Sequence, residues 1–413
     1  MRQSSTILAA ALLCCASGAS AQLGLPGGIA QGLPGALPNL PGTDVVPREI
    51  GSALSLPPSL VPEALRQARL DRIDTLLRTN RDTIERDFEG APARRGVLFL
   101  LDSDPKIEGE VVALGFVVDP ASEIEGLDLK VNRVGLPNGM SVSDAQKLLR
   151  KKVPQAQVSS DQIFFQSGGS GAALGGAAPA GGSIVELPIG IIDGAPAQPV
   201  TAVRGFAKGA PQSSNHGSAV SALAYAAGAR KIYVADVYGS DPAGGNALAI
   251  AQGMGWLVTR GAKVISLSLV GPRSPLLERA VSSAQARGVV IVAAVGNDGP
   301  AAPPSYPASY EGVLAVTAVD KRNRPLIEAG RATHLDYAAP GADMSALDCR
   351  GKLVPVRGTS FAAPLVAVRA AAALERGNSV RSVVAVLDAE ALQIAKRRPD
   401  PQSGRGLLCA GCR

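Results

Sequence analysis

From residue 184 onward the chain repeats one pattern. Residues 189–192, 231–235, 264–269, 289–294 and 313–318 are short apolar runs rich in β-branched side chains, and several are separated by stretches of helical periodicity. Runs that lack polar alternation suit strands covered on both faces. Strands alternating with helices specify a mostly parallel sheet between helical layers, an α/β architecture. In such sheets functional groups gather beyond the carboxyl ends of the strands, so the residues after each run carry the most information.

Upstream the pattern differs. Residues 60–88 space Leu65, Leu70, Ile73, Leu76 and Leu77 among Arg, Asp and Glu, which predicts a charged amphipathic helix. Residues 96–165 predict a small α+β unit with strands at 97–101, 111–118, 127–131 and 158–165. Its helix falls at 141–152, with Ser141 as N-cap and Asp144 three residues on. Two segments have no period that could bury a face. One is the Leu/Pro/Gly tract from residue 22, and the other is 167–183, almost wholly Gly, Ala and Ser. The second reads as an exposed, easily cut tether.

Composition narrows the classes. A chain of 413 residues allows two or three domains at about 100–200 residues each. With 46% hydrophobic residues, 3% aromatics and 47 Gly, the core is built from small side chains. The net charge of +6 is scattered, with no basic stripe interleaved with aromatics, so no nucleic-acid partner is expected. Arg2, an apolar run at 7–15 too short to span a bilayer, and Ala19-Ser20-Ala21 before Gln22 predict an export signal. A lipid-anchored form fits less well, because Leu13 and Cys14, not small residues, precede the two cysteines. The expected location is secreted, periplasmic or cell-envelope, with no stable membrane span after signal removal. Cys349, Cys409 and Cys412 then remain, an odd number that allows at most one internal bridge. With only two histidines and no D-x-D-type acidic cluster, no metal and no cofactor is expected.

Four segments carry candidate chemistry. Asp193 follows the first run, Asn215-His216-Gly217-Ser218 precedes a helix, and Val295-Gly296-Asn297-Asp298-Gly299 closes the fourth run. Arg357-Gly358-Thr359-Ser360-Phe361-Ala362-Ala363-Pro364 opens an Ala-rich helix. Singly each reads as a turn, a cap or packing. Together, in the order Asp, His, Ser, they resemble the subtilisin-like (S8) serine proteases of bacterial, exported type. Tyr306-Pro307-Ala308, Ala318-Val319-Asp320 and Ala339-Pro340-Gly341 add to the resemblance.

The resemblance implies a three-layer subtilisin-like fold at 184–395 and a secreted serine endopeptidase working through an acyl-enzyme. Ser360 would be the nucleophile, His216 the base, Asp193 its orienting carboxylate, and Asn297 the oxyanion donor. A polypeptide substrate would pair as an added strand with Ser266, Leu267, Ser268, Leu269, Val270 and Gly271. Val270, Gly271, Ala294 and Gly296 would wall the main pocket. Such small, uncharged walls imply a roomy pocket for medium or large uncharged side chains before the cut.

The implied order of parts is a signal peptide (1–21), a Pro/Gly/Leu-rich linker (22–59), a charged helical region (60–95), an α+β pro-domain-like unit (96–166), a Gly/Ala linker (167–183), the protease domain, and a C-terminal tail (396–413). The pro-region would act as an intramolecular inhibitor, with Phe164-Phe165-Gln166-Ser167 in the cleft until self-processing within the tether. A permanent N-terminal docking domain is the alternative for that unit. For the whole chain the alternative is a catalytically silent peptide-binding or assembly module at the cell surface. Four positions depart from the family pattern. Gly194-Ala195 replace a hydroxyl residue and Gly after the Asp, Ser218 stands for Thr, and Leu365 stands for His.

Overall fold

A computed structural model describes residues 53–167 and 183–412. The expected export signal, most of the 22–59 linker and nearly all of the 167–183 tether lie outside the described residues. Among the described residues no helix is long and apolar enough to cross a membrane.

The N-terminal part runs α1 (Val61–Thr79), β1 (Ile84–Arg86), β2 (Pro92–Leu101), α2 (Pro105–Ala113), β3 (Val117–Val118), β4 (Ser122–Ile124), β5 (Leu129–Gly135), α3 (Val142–Lys152), β6 (Val158–Gln162) and β7 (Phe165–Gln166). β1, β2, β5 and β3 form an antiparallel sheet in that order, with β4 on β5 and β6 on β2. β2 explains its own unbroken apolar run. Leu98 and Leu100 enter a core with Val111, Phe116 and Leu149, whereas Val97, Phe99 and Leu101 enter the larger core of the C-terminal part. Alternate residues of one strand thus fill two different cores.

Local chemistry moves three expected elements. The helix expected over 60–88 ends at Thr79, and Ile84–Arg86 pairs with β2 instead. The strand expected at 111–118 is mostly helix. The Asp104 side chain accepts from the Ile107 N–H, Pro105 supplies a preset first turn, and Gly115 at φ 90° ends it. Only Val117–Val118 is extended. The strand expected at 158–165 breaks at residues 163–164, where the Phe164 N–H turns to the Gly245 carbonyl (2.8 Å).

The C-terminal part runs β8 (Ile189–Asp193), β9 (Ala202–Gly205), α4 (Asn215–Ala226), β10 (Ile232–Asp236), α5 (Ala247–Thr259), β11 (Val264–Leu267), β12 (Leu269–Val270), α6 (Pro275–Ala286), β13 (Val290–Ala294), β14 (Leu314–Val319), β15 (Tyr337–Pro340), β16 (Met344–Leu347), β17 (Leu353–Val356), α7 (Thr359–Glu375) and α8 (Val380–Glu390). Seven strands pair in the order β15-β14-β13-β11-β8-β10-β9, every neighbour parallel. Ile189, Ile191 and Val292 share a core with the alanines of α7. Ile192, Ile291 and Ala293 share the opposite core with α5 and α6. The α/β architecture expected from the five apolar runs is the one observed.

The N-terminal sheet docks on α5 and α6. The Asp161 carboxylate accepts from the Leu248 N–H (3.0 Å) in the first turn of α5, where helix donors lack internal partners. Arg94 bridges Asp161 (3.4 Å) and Asp241 (2.8 Å). Burial comes first among the influences on Asp161 and pushes its carboxyl up to about 6, while Leu248 and Arg94 pull the other way. The expected C-terminal tail is packed: Leu407 and Leu408 are buried, and Leu407 bridges Leu392 and Ala338. Cys409 and Cys412 are joined as a disulfide, and Cys349 is a free thiol.

Candidate active site

Asp193 is the last residue of β8, and its side chain has no solvent exposure. Burying a carboxylate is costly unless donors surround it, and here several do. Both oxygens lie 2.9 Å from His216 Nδ1, and Oδ1 also accepts from the Gly194 N–H (2.7 Å) and from Gln166 Nε2 (3.2 Å). The hydroxyl residue expected after the Asp is absent for a steric reason. A Cβ on Gly194 would strike Ser214 Oγ, the hydroxyl that caps α4 by accepting from the Gly217 N–H (2.9 Å). A Cβ on Gly217 would in turn strike the Gly194 carbonyl. The two glycines let the strand bearing Asp193 and the helix bearing His216 approach closely. Ser218 Oγ accepts from the Ala197 N–H (3.0 Å), which ties the same loop down.

Ser360 is the second residue of α7, entered from Gly358 at φ 141°. Pro364, four residues on, has no N–H and cannot make the helical bond to the Ser360 carbonyl. The Ser268 hydroxyl donates to that carbonyl instead (2.9 Å). Ser360 Oγ lies 3.3 Å from the Ser268 carbonyl and 2.7 Å from Ser167 Oγ. On the other side, Thr359 Oγ1 accepts from the Gly296 N–H (3.0 Å), and Asn297 Oδ1 accepts from the Thr359 N–H (3.1 Å). That second bond orients the Asn297 amide so that Nδ2 donates to the Ser167 carbonyl. The His216 ring stands 5.5 Å from the Phe361 ring, centroid to centroid.

The segment 164–167 fills the cleft. Phe165–Gln166 pairs antiparallel with β12, Val270 opposite Phe165 and Leu269 opposite Gln166. The Ser167 N–H reaches the Ser268 carbonyl (3.1 Å), and on the opposite edge the Phe164 N–H reaches Gly245. Gln166 therefore touches Asp193 while its neighbour Ser167 touches Ser360. With the segment in place, Ser360 is fully buried and His216 is 5% exposed.

The expected substrate-binding set separates into two groups. Ser268, Leu269, Val270 and Gly271 border the segment. Ser266 and Leu267 do not, because β11 holds them inside the central sheet between β8 and β13. Ala294 likewise ends β13 in the core shared with α7. Gly296 faces the Val270 side chain. His334, the only other histidine, is occupied by the Val313 carbonyl (2.9 Å).

Sequence reasoning missed the reach of α1. Arg72 donates to Asp298 (2.9 Å), next to Asn297, and its guanidinium lies 4.9 Å from the Phe165 ring centroid. Leu65 packs on Gly299. The Asn-Asp-Gly turn and the charged helix face each looked ordinary alone, and nothing local links positions 226 residues apart. Among the described residues no group of three or more His, Cys, Asp or Glu could hold a metal ion.

The buried Asp193–His216 pair joins the end of β8 to the start of α4, and Ser360 stands in the first turn of α7. Residues 202–396 match the model of the subtilase family, Peptidase_S8. Subtilisin BL from Lederbergia lenta is 38% identical over 154 residues, which is 37% of this chain and 56% of that protein. Thermitase from Thermoactinomyces vulgaris is 33% identical over 183 residues, 44% of this chain and 64% of that one. Fervidolysin from Fervidobacterium pennivorans superimposes with a TM-score of 0.62 at 17% identity, covering 80% of this chain and 63% of that one, a likeness of fold. Over residues 202–396 the chain is thus similar to the subtilisin-like S8 proteases. The matched stretches span 56% and 64% of the lengths of these two curated relatives.

Proposed function

We propose that the chain is an exported serine endopeptidase made as a precursor, with the region upstream of residue 168 as its own inhibitor and first substrate. The supporting observation is the placement of the Ser167 carbonyl on Asn297 Nδ2, with Ser360 Oγ beside the same residue. In acyl transfer that is where the reacting carbonyl sits between nucleophile and oxyanion donors.

The chemistry follows from the geometry. Asp193 accepts from Nδ1, which makes Nε2 the basic nitrogen of His216. Ser360 Oγ attacks the Ser167 carbonyl carbon as His216 takes its proton, and the oxyanion gathers on Asn297 Nδ2 and the Ser360 N–H. His216 then passes the proton to the departing amine of Gly168. Water, activated by the same histidine, releases the acyl group and regenerates Ser360. The new carboxylate of Ser167 stays in the cleft until the N-terminal part leaves. External polypeptides then pair with β12 in place of 165–166.

Purified precursor tests this reading. Intact mass is expected to show a split between Ser167 and Gly168 in the wild type and none in Ser360→Ala. If Ser360→Ala is processed at the wild-type rate in the absence of other proteases, self-processing is wrong.

A further inference from the structure

The cleft has two glycine-floored recesses, and they are occupied differently. At Gly271, a Cβ would strike the ring of Phe164, three residues before Ser167. That recess holds an aromatic side chain of the bound segment. At Gly296 the neighbour is not the segment but the protein itself. A Cβ there would lie 3.0 Å from Val270 Cγ1 and 3.6 Å from Cγ2. Gly296, at φ 90°, has a backbone that side chains rarely tolerate, so it adds no bulk of its own. The gap between β12 and the 294–297 turn is filled from the other wall, by a valine that is 5% exposed.

The register identifies what would have entered that gap. Ser167 holds the Ser268 carbonyl with its N–H and presents its carbonyl to Asn297. It is the residue before the attacked bond, and its side chain belongs between those two walls. The chain supplies a serine there, whose hydroxyl turns to Ser360 Oγ (2.7 Å), followed by a tether almost wholly of Gly, Ala and Ser.

From this we infer that Val270 closes the main specificity pocket, so that the protein cuts after small residues, Ser, Ala or Gly, and rejects large ones. The inference rests on Ser360 being the nucleophile, and it replaces the roomy pocket expected from small walls. Val270 was counted among those walls, but its side chain occupies the space between them. One added methylene at a filled apolar site is worth about tenfold to 200-fold in discrimination, and Leu or Phe adds several.

The test uses processed protein and fluorogenic peptides Phe-Phe-Gln-X, cut after X, with X as Ser, Ala, Leu or Phe. Rates are counted per active site by fluorophosphonate titration. The expected result is kcat/KM for Ser and Ala at least about tenfold above Leu and Phe. Val270→Gly is expected to reverse the order, and Val270→Ala to fall between. Should Val270→Gly fail to fold, Val270→Ala and the wild-type profile still decide. Wild-type cleavage after Phe as fast as after Ser, or an unchanged order in Val270→Gly, overturns the inference while the labelled Ser360 keeps the protease reading intact. Absence of both label and cleavage overturns the protease reading, and this inference with it.

Discussion

Ser268 offers a sharp test of how Ser360 is held. Pro364 removes the helical donor that would satisfy the Ser360 carbonyl, and the Ser268 hydroxyl replaces it at 2.9 Å in a fully buried place. Ser268→Ala leaves that carbonyl buried without the donor. A stranded buried acceptor costs about 1–3 kcal/mol. Pro364→Ala restores an N–H four residues along α7, which reaches the same carbonyl. In that background Ser268→Ala is expected to cost within about 0.5 kcal/mol of nothing, so the coupling between the two changes is about 1 kcal/mol or more. The assay is urea unfolding of the full chain, all four forms carrying Ser360→Ala. That change spares the carbonyl and, under the proposed mechanism, prevents self-cleavage. An equal cost for Ser268→Ala in both backgrounds would refute the exchange of donors.

Three further outcomes are expected. In a subtilisin, loss of the oxyanion-hole asparagine costs on the order of 10²–10³ in turnover. Asn297→Ala is expected to slow peptide hydrolysis similarly, with a smaller change in KM, and an effect confined to KM would remove Asn297 from that role. Gly255→Ala in α5 would drive a methyl into the Glu125 carbonyl. It should destabilise docking of the N-terminal sheet by about 1–3 kcal/mol, although Gly→Ala within a helix ordinarily stabilises. Limited proteolysis of the precursor reads this, and unchanged resistance would contradict it. The third concerns pH. Burial raises the Asp161 carboxyl from 3.8 to about 6, so the docked state favours its protonated form. Its contribution to stability is full below about pH 4 and is lost as pH rises through 6. The difference corresponds to about 3 kcal/mol. Asp161→Asn, which still accepts from Leu248, should stabilise the Ser360→Ala precursor at pH 7.5 relative to pH 4.5. A pH dependence identical to the parent's would rule this out.

The central sheet was legible because its strands are covered on both faces and read as bare apolar runs at Ile189–Asp193, Ile232–Asp236 and Val290–Ala294. The small edge strands Ala202–Gly205 and Tyr337–Pro340 lacked that signal. Val111 and Val112 looked like strand, yet Asp104-Pro105 carried the helix-start chemistry that decided the segment. The apolar run from 264 hid a break, because Ser268 leaves the sheet to serve Ser360 and Ser167. Asp193, His216, Asn297 and Ser360 were each marked by position after a strand or before a helix. What local sequence does not encode is which side chain fills which gap. Val270 against Gly296 and Arg72 against Asp298 are products of long-range packing.

The central claim is that Ser360 is a nucleophile activated by His216 and Asp193. Its most direct test is fluorophosphonate labelling of the processed protein, followed by peptide mapping. One adduct on the peptide containing Ser360, lost in His216→Ala that an added protease has cut after residue 167, is the expected result. An unlabelled Ser360 in folded, processed protein would contradict the account.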